Sequence, residues 1–415
     1  MALKRIVKIR RLTRKRGLRF LFSIITAKLV VNLLKRRGRF IDRREMWRHK
    51  DRGDLDAQVV GEVRRLHVTL PDSKDWIPNS HRALVGEYVN SPRFVASYSY
   101  AQVHCGSMVA MTSNGRVIAE STDRHLKDGV SDISNIIYPA AYSAIVGAVP
   151  RVIKRNCLTI EGAVLSLGGS QDWGYGHFLL DYAPKLAAIE FYRQNHPGVP
   201  RLLLRKKRRP FQQEVINALG FGDLEIVDIG NADWVQCEKL LISSHSRRDF
   251  DLMHQANAWD YEWIRSRTEK LRAYGERECS TRRILVSRAN ARWRSLLNEV
   301  ELFDALRPLG FELIEPGHVS VYDQIRKFAG AEIIVGAQGT GLVNMVFAQN
   351  AKIVEILAEK LPIPLHFILS RQLGFKYACV PAAMVPRDGE TTVHGQNLIV
   401  DVQRVVRVVE ELIDQ

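Results

Sequence analysis

The 415-residue chain is short of the patterns that assign a protein at a glance. Its five cysteines (Cys105, Cys157, Cys237, Cys279, Cys379) are odd in number, scattered, and never spaced as Cys-x-x-Cys. That excludes a zinc ribbon and gives no disulfide framework. They read as small core residues in a reducing, cytoplasmic setting. No glycine run has the dinucleotide-binding spacing, and no internal repeat or low-complexity tract stands out. No apolar run reaches the ~20 residues of an untilted membrane span. Beyond residue 50 there is no excess charge either. Residues 51–415 hold 43 Lys/Arg and 43 Asp/Glu, so the net +16 sits entirely in residues 1–50, with 18 bases against two acids. A basic face on the folded body, the usual footprint of a nucleic-acid-binding domain, is excluded.

What is present begins with that arm. Leu18, Phe20, Leu21, Phe22, Ile24, Ile25, Leu29, Val30, Val31, Leu33 and Leu34 lie between Arg14-Lys15-Arg16 and Lys35-Arg36-Arg37, with Lys28 interrupting the run. No small-residue cleavage pattern follows, which argues against a signal peptide. The arm is expected to lie as a basic amphipathic helix among the headgroups of an anionic leaflet. That would make the protein cytoplasmic and peripheral on the inner face of the cell membrane. A solvated tail and an arm that binds nucleic acid are the rival readings.

Residues 51 to about 150 give only short strand-like runs, Glu62 to Val68 and Gly115 to Ala119. From Leu158 apolar runs alternate with helical periodicity. Strands are expected at Ala163–Leu167, Arg201–Leu204, Leu224–Ile229 and Leu240–Ser243, with helices at His177–Gln194 and Phe211–Leu219. A charged, Trp-containing helical connector spans 254–278. The alternation then restarts with strand Ile284–Ser287, helix Glu299–Leu306, strand Phe311–Ile314 and a helix opened by Ser320 and Asp323 in a capping pattern. Two successive βαβ series predict an α/β protein with two doubly wound domains facing a central cleft. The expected division is the arm at 1–50, a first doubly wound domain at 51–265, a second at 280–397 with the phosphate-type turn, and a helix (Leu398 to Ile413) within 398–415 that crosses back.

The stretch Ala331–Leu357 reads as a strand, a turn at Gly339-Thr340-Gly341, a helix Leu342–Ala348, and a second strand with Glu355 in its middle. Such a turn offers backbone N–H groups to a phosphate, although two glycines also occur in plain tight turns. Directly after the strand at Ile284 comes an arginine block, Arg288, Arg292 and Arg294, whose planar guanidiniums suit a diphosphate. His177 and Asp181 are four apart and share a helix face. An imidazole beside a carboxylate can act as a general base, though such pairs are more often structural. Pro184 implies that the helix kinks there or begins late. Two Asp-x-Asp triplets, Asp54-Leu55-Asp56 and Asp249-Phe250-Asp251, are short enough to arise by chance, and neither follows an obvious buried strand.

Three blocks, GHFLLDYAPKL, ILVSRANARWRSLLNEVEL and YDQIRKFAGAEIIVGAQGTGLVNMVFAQNAKIVEI, resemble the hallmark blocks of the family 61 glycosyltransferases, in that family's order. The resemblance implies a GT-B-type fold with two Rossmann-like halves and an inverting transfer from a nucleotide sugar, usually a UDP-sugar. It implies no cofactor beyond that co-substrate and no obligatory metal. Arg288, Arg292 and Arg294 would hold the diphosphate. Asn298 and Glu299 match the family's Asn-Glu, and Gly339, Thr340 and Gly341 the phosphate or uracil-side turn. Asn344 follows on the helix, and Glu355 is placed like a ribose-binding carboxylate. His177 and Asp181 are the catalytic candidates. Many relatives have His where this chain has Gln338, so a positioning role fits that residue better than a catalytic one. The expected acceptor is a growing surface polysaccharide or a lipid-linked glycan. A non-catalytic nucleotide-sugar-binding protein is the rival reading.

Overall fold

The computed structural model describes residues 40–41, 43–51, 55–61, 64–73, 76–90, 92–121, 156–169, 171–244, 257–278, 282–291, 293–387 and 393–414. The basic arm up to residue 39, Arg292, Cys279, Asp54 and the Asp249-Phe250-Asp251 triplet lie outside them. Two large sheets carry the architecture. The first has eight strands, and it starts with β1 (Phe40–Ile41) and β2 (Asp56–Gly61). A separate hairpin, β3 (Arg64–Val68) with β4 (Gly86–Asn90), interrupts the series. The sheet then resumes with β5 (Arg93–His104), β6 (Ala110–Met111), β7 (Val117–Ile118), β8 (Cys157–Ser166), β9 (Arg201–Leu203) and β10 (Trp234–Ser243).

This sheet is mixed, which corrects the expected doubly wound first half. β8, β9 and β10 run parallel, as does the short pair β1 and β7, while the long β5 lies antiparallel to β10 along nearly its whole length. The segment expected as a strand at Leu224–Ile229 contributes a single parallel bridge, Leu202 to Ile226. Alternation along β5 and β10 explains the layering. Phe94, Ala96, Leu240 and Ile242 face one apolar cluster, while Val95 and Leu241 face another.

The second sheet follows the expectation closely. It holds β11 (Arg283–Val286), β12 (Phe311–Ile314), β13 (Ile333–Ala337), β14 (Lys352–Ala358), β15 (Lys376–Val385) and β16 (Asn397–Val400), in the order β12-β11-β13-β14-β15-β16. All neighbours are parallel except β15 with β16. Because β12 and β13 flank β11 on opposite sides, the chain reverses direction across the sheet at β11 and β13. The crevice outside their carboxyl ends is the place where open α/β sheets bind ligands.

Among the described residues the α-helices of eight residues or more are, in chain order, α1 (Arg43–Asp51), α2 (Ala187–Asn195), α3 (Pro210–Ala218), α4 (Ala258–Arg267), α5 (Glu269–Glu278), α6 (Glu299–Leu306), α7 (Val321–Ala329), α8 (Leu365–Gln372) and α9 (Val402–Ile413). Ser320 caps α7 as the pattern predicts, accepting from the Asp323 N–H at 3.1 Å. None of them is long and apolar enough to cross a membrane. The last helix differs from its expectation in two respects. Residues Asn397–Val400 are strand rather than helix, and α9 packs on α6, β14 and β15 instead of crossing back. Its stripe of Val402, Val405, Val409 and Leu412 is buried in the core on that face of its own sheet, which leaves no apolar face for the other half.

The two sheets share one apolar cluster. Leu165, Leu179 and Leu202 from the first half lie in it with Ile284, Ile334, Ile353 and Phe328 from the second. The hairpin strengthens this join. Residues 70–73 and 76–81, between β3 and β4, lie along the amino-terminal half of β15. There the Asp72 N–H donates to Tyr377 O at 2.7 Å, the Tyr377 N–H returns a bond to Asp72 Oδ2 at 2.8 Å, and the Cys379 N–H donates to Ser73 Oγ at 2.6 Å. A segment expected to belong to the first domain thus completes the edge of the second sheet. Three of the cysteines, Cys105, Cys237 and Cys379, are buried core residues, while Cys157 is exposed.

Candidate functional site

The helical run after β8 starts at Tyr175 and passes through three geometries. Tyr175–His177 is α-helical, Phe178–Tyr182 a π-turn, and Ala183–Leu186 a 3₁₀ turn, before α2 resumes. Pro184 explains the change, because it has no N–H to give and its ring crowds the preceding turn. His177 Nδ1 sits 2.8 Å from Asp181 Oδ2. The imidazole is 36% exposed and the carboxylate 5%, so one nitrogen is tied down inside while the other can meet a ligand. Behind Asp181 lies a buried ion pair, Arg93 Nε to Asp260 Oδ1 at 2.7 Å. Burial raises Asp260 to about 6; Arg93 opposes the rise and Asp181 adds to it.

The run is docked on the glycine turn of the second sheet. A Cβ on Gly176 would stand 3.1 Å from Val343 Cγ1 and 3.3 Å from Thr340 Cβ. Tyr175 OH donates to Asn344 Oδ1 at 2.6 Å, and Asn344 Nδ2 donates to Gln324 Oε1 at 2.8 Å. Asn344 is therefore a buried tie between halves. The expected α-helix at Leu342–Ala348 is a 3₁₀ helix, Thr340–Phe347. Residues Leu342 to Phe347 are buried on every side, and the tighter 3₁₀ coil fits such a wedge.

The turn does not stand open. A Cβ on Gly339 would lie 1.6 Å from Arg288 Nη1, so glycine here makes room for a guanidinium laid across it. Arg288 Nε donates to Arg294 O at 3.0 Å and Nη2 to Trp293 O, while Arg294 Nε donates to Gln338 O at 3.1 Å. Arg294 holds this position with φ 57, unusual for a residue with a Cβ. Burial lowers Arg288 to about 10, with the neighbouring Arg294 adding to the drop and Glu299 resisting it. Burial likewise lowers Arg294, against the pull of Glu355. Two desolvated cations side by side at the ends of adjacent parallel strands make a site that favours an anion.

Other predicted residues are scaffolding. Glu299 accepts from Ser287 Oγ and the Arg288 N–H, both at 2.6 Å, and so fixes the loop that presents the arginine. Asn298 exchanges two bonds with the backbone of Val400 and anchors β16. Gly341 is in tight packing, where a Cβ would meet Val286 Cγ1 at 2.8 Å. Glu355 is fully buried, and its two oxygens are engaged by His366 Nδ1 at 2.7 Å and Tyr377 OH at 2.6 Å. Those two residues, and His81 stacked on Phe367 and Tyr377, were not legible in the sequence. The one available signal was Pro362-Ile363-Pro364 before Leu365-His366, a helix start that puts a histidine at the carboxyl end of β14. Of the Asp-x-Asp residues, Asp56 lies on β2, 3.4 Å from His196 and away from these groups.

Comparison with known proteins matches residues 175–354 to the family Glycosyltransferase 61. The chain is 31% identical over 96 residues to Beta-1,2-xylosyltransferase of Arabidopsis thaliana, covering 20% of this chain and 18% of that protein. It is 28% identical over 202 residues to Pyruvate decarboxylase 1 of Pisum sativum, covering 46% of this chain and 30% of that protein. The chain thus spans under a third of the length of these curated relatives. Their names describe different chemistry, and the family match agrees with the xylosyltransferase. The matched stretch, residues 175–354, holds every predicted site residue but Glu355, and there the chain is similar to the Glycosyltransferase 61 family.

Proposed function

We propose that this chain is an inverting glycosyltransferase of GT-B-like arrangement that moves a sugar from a UDP-sugar to a hydroxyl of a glycan. The observation that carries the reading is the half-buried pair Arg288, laid over Gly339, and Arg294, bonded to Gln338 O, where the chain reverses across the second sheet. A diphosphate docked there meets both guanidiniums, whose planar forks suit its oxygens. As the bond from the anomeric carbon to the phosphate oxygen breaks, these fixed donors stabilise the charge growing on the leaving group, without calling on a metal. His177 takes the acceptor hydroxyl proton on Nε2, because Asp181 holds Nδ1–H. The freed oxygen forms the new bond from the face opposite the diphosphate. The acceptor is a surface polysaccharide or lipid-linked glycan, met at the inner face of the membrane, where residues 1–50 anchor the chain.

Thermal unfolding against UDP-, GDP-, CMP- and dTDP-sugars tests the donor reading. Saturation at about 100 times Kd adds about 2.7 kcal/mol of apparent stability, so a UDP-sugar is expected to raise the midpoint and the others less. Response to none of them overturns the reading. In the same preparation, His177→Ala and Asp181→Asn are expected to lower turnover about 10²–10⁴-fold with the donor-induced shift intact. Wild-type turnover in both removes the base assignment and leaves the non-catalytic binding protein as the better account. Deleting residues 1–50 is expected to abolish binding to anionic vesicles while soluble transfer persists; steeply salt-dependent RNA affinity in the arm would replace the membrane assignment.

A further inference from the structure

Glu355 does not itself have an oxygen to spare for a ligand, yet the groups around it do. Gly336 pairs with Glu355 across β13 and β14, and the Gln338 N–H continues that ladder by donating to Ile356 O at 2.9 Å. Gln338 therefore falls two residues beyond Gly336 on the face that carries Glu355. Arg294 reaches the same place, bonding Gln338 O and feeling the charge of Glu355. His366 is held there by Glu355. Three polar atoms at this spot have no partner among the described residues, although Gln338 and His366 are each only 2% exposed: Gln338 Oε1, Gln338 Nε2 and His366 Nε2. Buried polar atoms are ordinarily paired, and a group of three left over in one place calls for a ligand that completes them.

We propose that Gln338 and His366 form a subsite for a pair of neighbouring hydroxyls on the donor, with Glu355 and Tyr377 as positioning residues. The proposal rests on the donor-cleft reading above. The chemistry selects the ligand class. With Nδ1–H directed at the carboxylate of Glu355, His366 Nε2 presents a lone pair and needs an O–H. Gln338 offers one acceptor and one donor. A vicinal diol, whose oxygens each donate and accept, answers all three; a phosphate oxygen only accepts and leaves His366 and Gln338 Oε1 unmet. The diol belongs either to the ribose of the nucleotide or to the transferred sugar.

Titration calorimetry with UDP, 2′-deoxy-UDP and a UDP-sugar, on wild type and on Gln338→Met, tests this. Methionine keeps the volume and removes two unpaired atoms, so the free variant is expected to unfold at the same temperature as wild type or higher. Its UDP affinity is expected to fall about tenfold. Wild type should lose as much on going to 2′-deoxy-UDP, while the variant should not distinguish the two. If the diol is on the transferred sugar, the variant binds UDP normally and loses affinity only for the UDP-sugar. His366→Phe is expected to repeat the loss of affinity but to unfold at a lower temperature, because the buried Glu355 loses its bond from Nδ1. Wild-type affinity of Gln338→Met for every probe overturns the proposal, as does a lowered unfolding temperature with unchanged binding. If wild type itself binds none of the probes, the donor-cleft reading falls and takes this subsite with it.

Discussion

Arg288→Ala is expected to cut sugar transfer by about 10²–10³-fold, the usual cost of losing one preorganised donor to a developing anion. The guanidinium spans from the carbonyls of Trp293 and Arg294 to the space above Gly339, so it is placed before any ligand arrives. Its removal deletes a half-buried cation that already repels Arg294, so the fold should not suffer in proportion. Steady-state kinetics beside a thermal melt separates the two effects. Arg288→Lys should recover only part of the rate, because an ammonium restores charge but not the planar fork. Gly339→Ala approaches the same defect from the other side: its Cβ, 1.6 Å from Nη1, must push the guanidinium off the turn. Turnover within a few-fold of wild type in Arg288→Ala would mean that the diphosphate sits elsewhere.

The second large effect concerns acid stability. His81, fully buried between Phe367 and Tyr377, is lowered from 6.5 to about 4, chiefly by burial; Glu355 pulls it up and His366 pushes it further down. The folded value lies below the unfolded one, so the unfolded chain takes up a proton first as pH falls. The contribution of His81 is therefore fully present above pH 6.5 and is lost as pH drops through about 4. A shift of this size corresponds to about 3 kcal/mol. Urea unfolding of wild type and His81→Phe at several pH values between 7 and 4 (an experimental range of about three units) reads the difference. The variant should lose less stability across that window by about that amount. Equal pH slopes would show that His81 does not set the acid limit. Because His81 also pins the hairpin to the second sheet, acidification should loosen the hairpin contacts at Asp72 and Ser73 first.

The second sheet was legible almost residue by residue. The strands at Ile284, Phe311, Ile333 and Ile353 are short apolar runs between clear stops, and Ser320 with Asp323 marks a helix start whose cap forms as expected. Parallel strands buried on both faces announce themselves by continuous apolar character. The first sheet was less readable, because β5 mixes buried and exposed positions and pairs with partners far away in sequence. At the site, the pairing of His177 with Asp181 followed from helical spacing alone. That Arg288, Arg294 and Gly339 meet did not, since nothing in local periodicity tells where a long side chain after one strand will lie relative to a turn after another.

Sequence by itself determined the alternating architecture of residues 283–413, the glycine turn and its arginine block, and the confinement of excess positive charge to the arm. These depend on interactions between near neighbours, or on composition. Only the tertiary structure decided what those residues touch. It placed residues 70–73 and 76–81 on β15, kept α9 on its own sheet, and tightened the expected α-helix after the turn into a 3₁₀ wedge. It also set His366 and Tyr377 against the two oxygens of Glu355. Each of these outcomes is set by which buried polar group finds which partner, and by how two apolar faces close on one another. A chain settles such matters only when residues hundreds of positions apart are brought into contact.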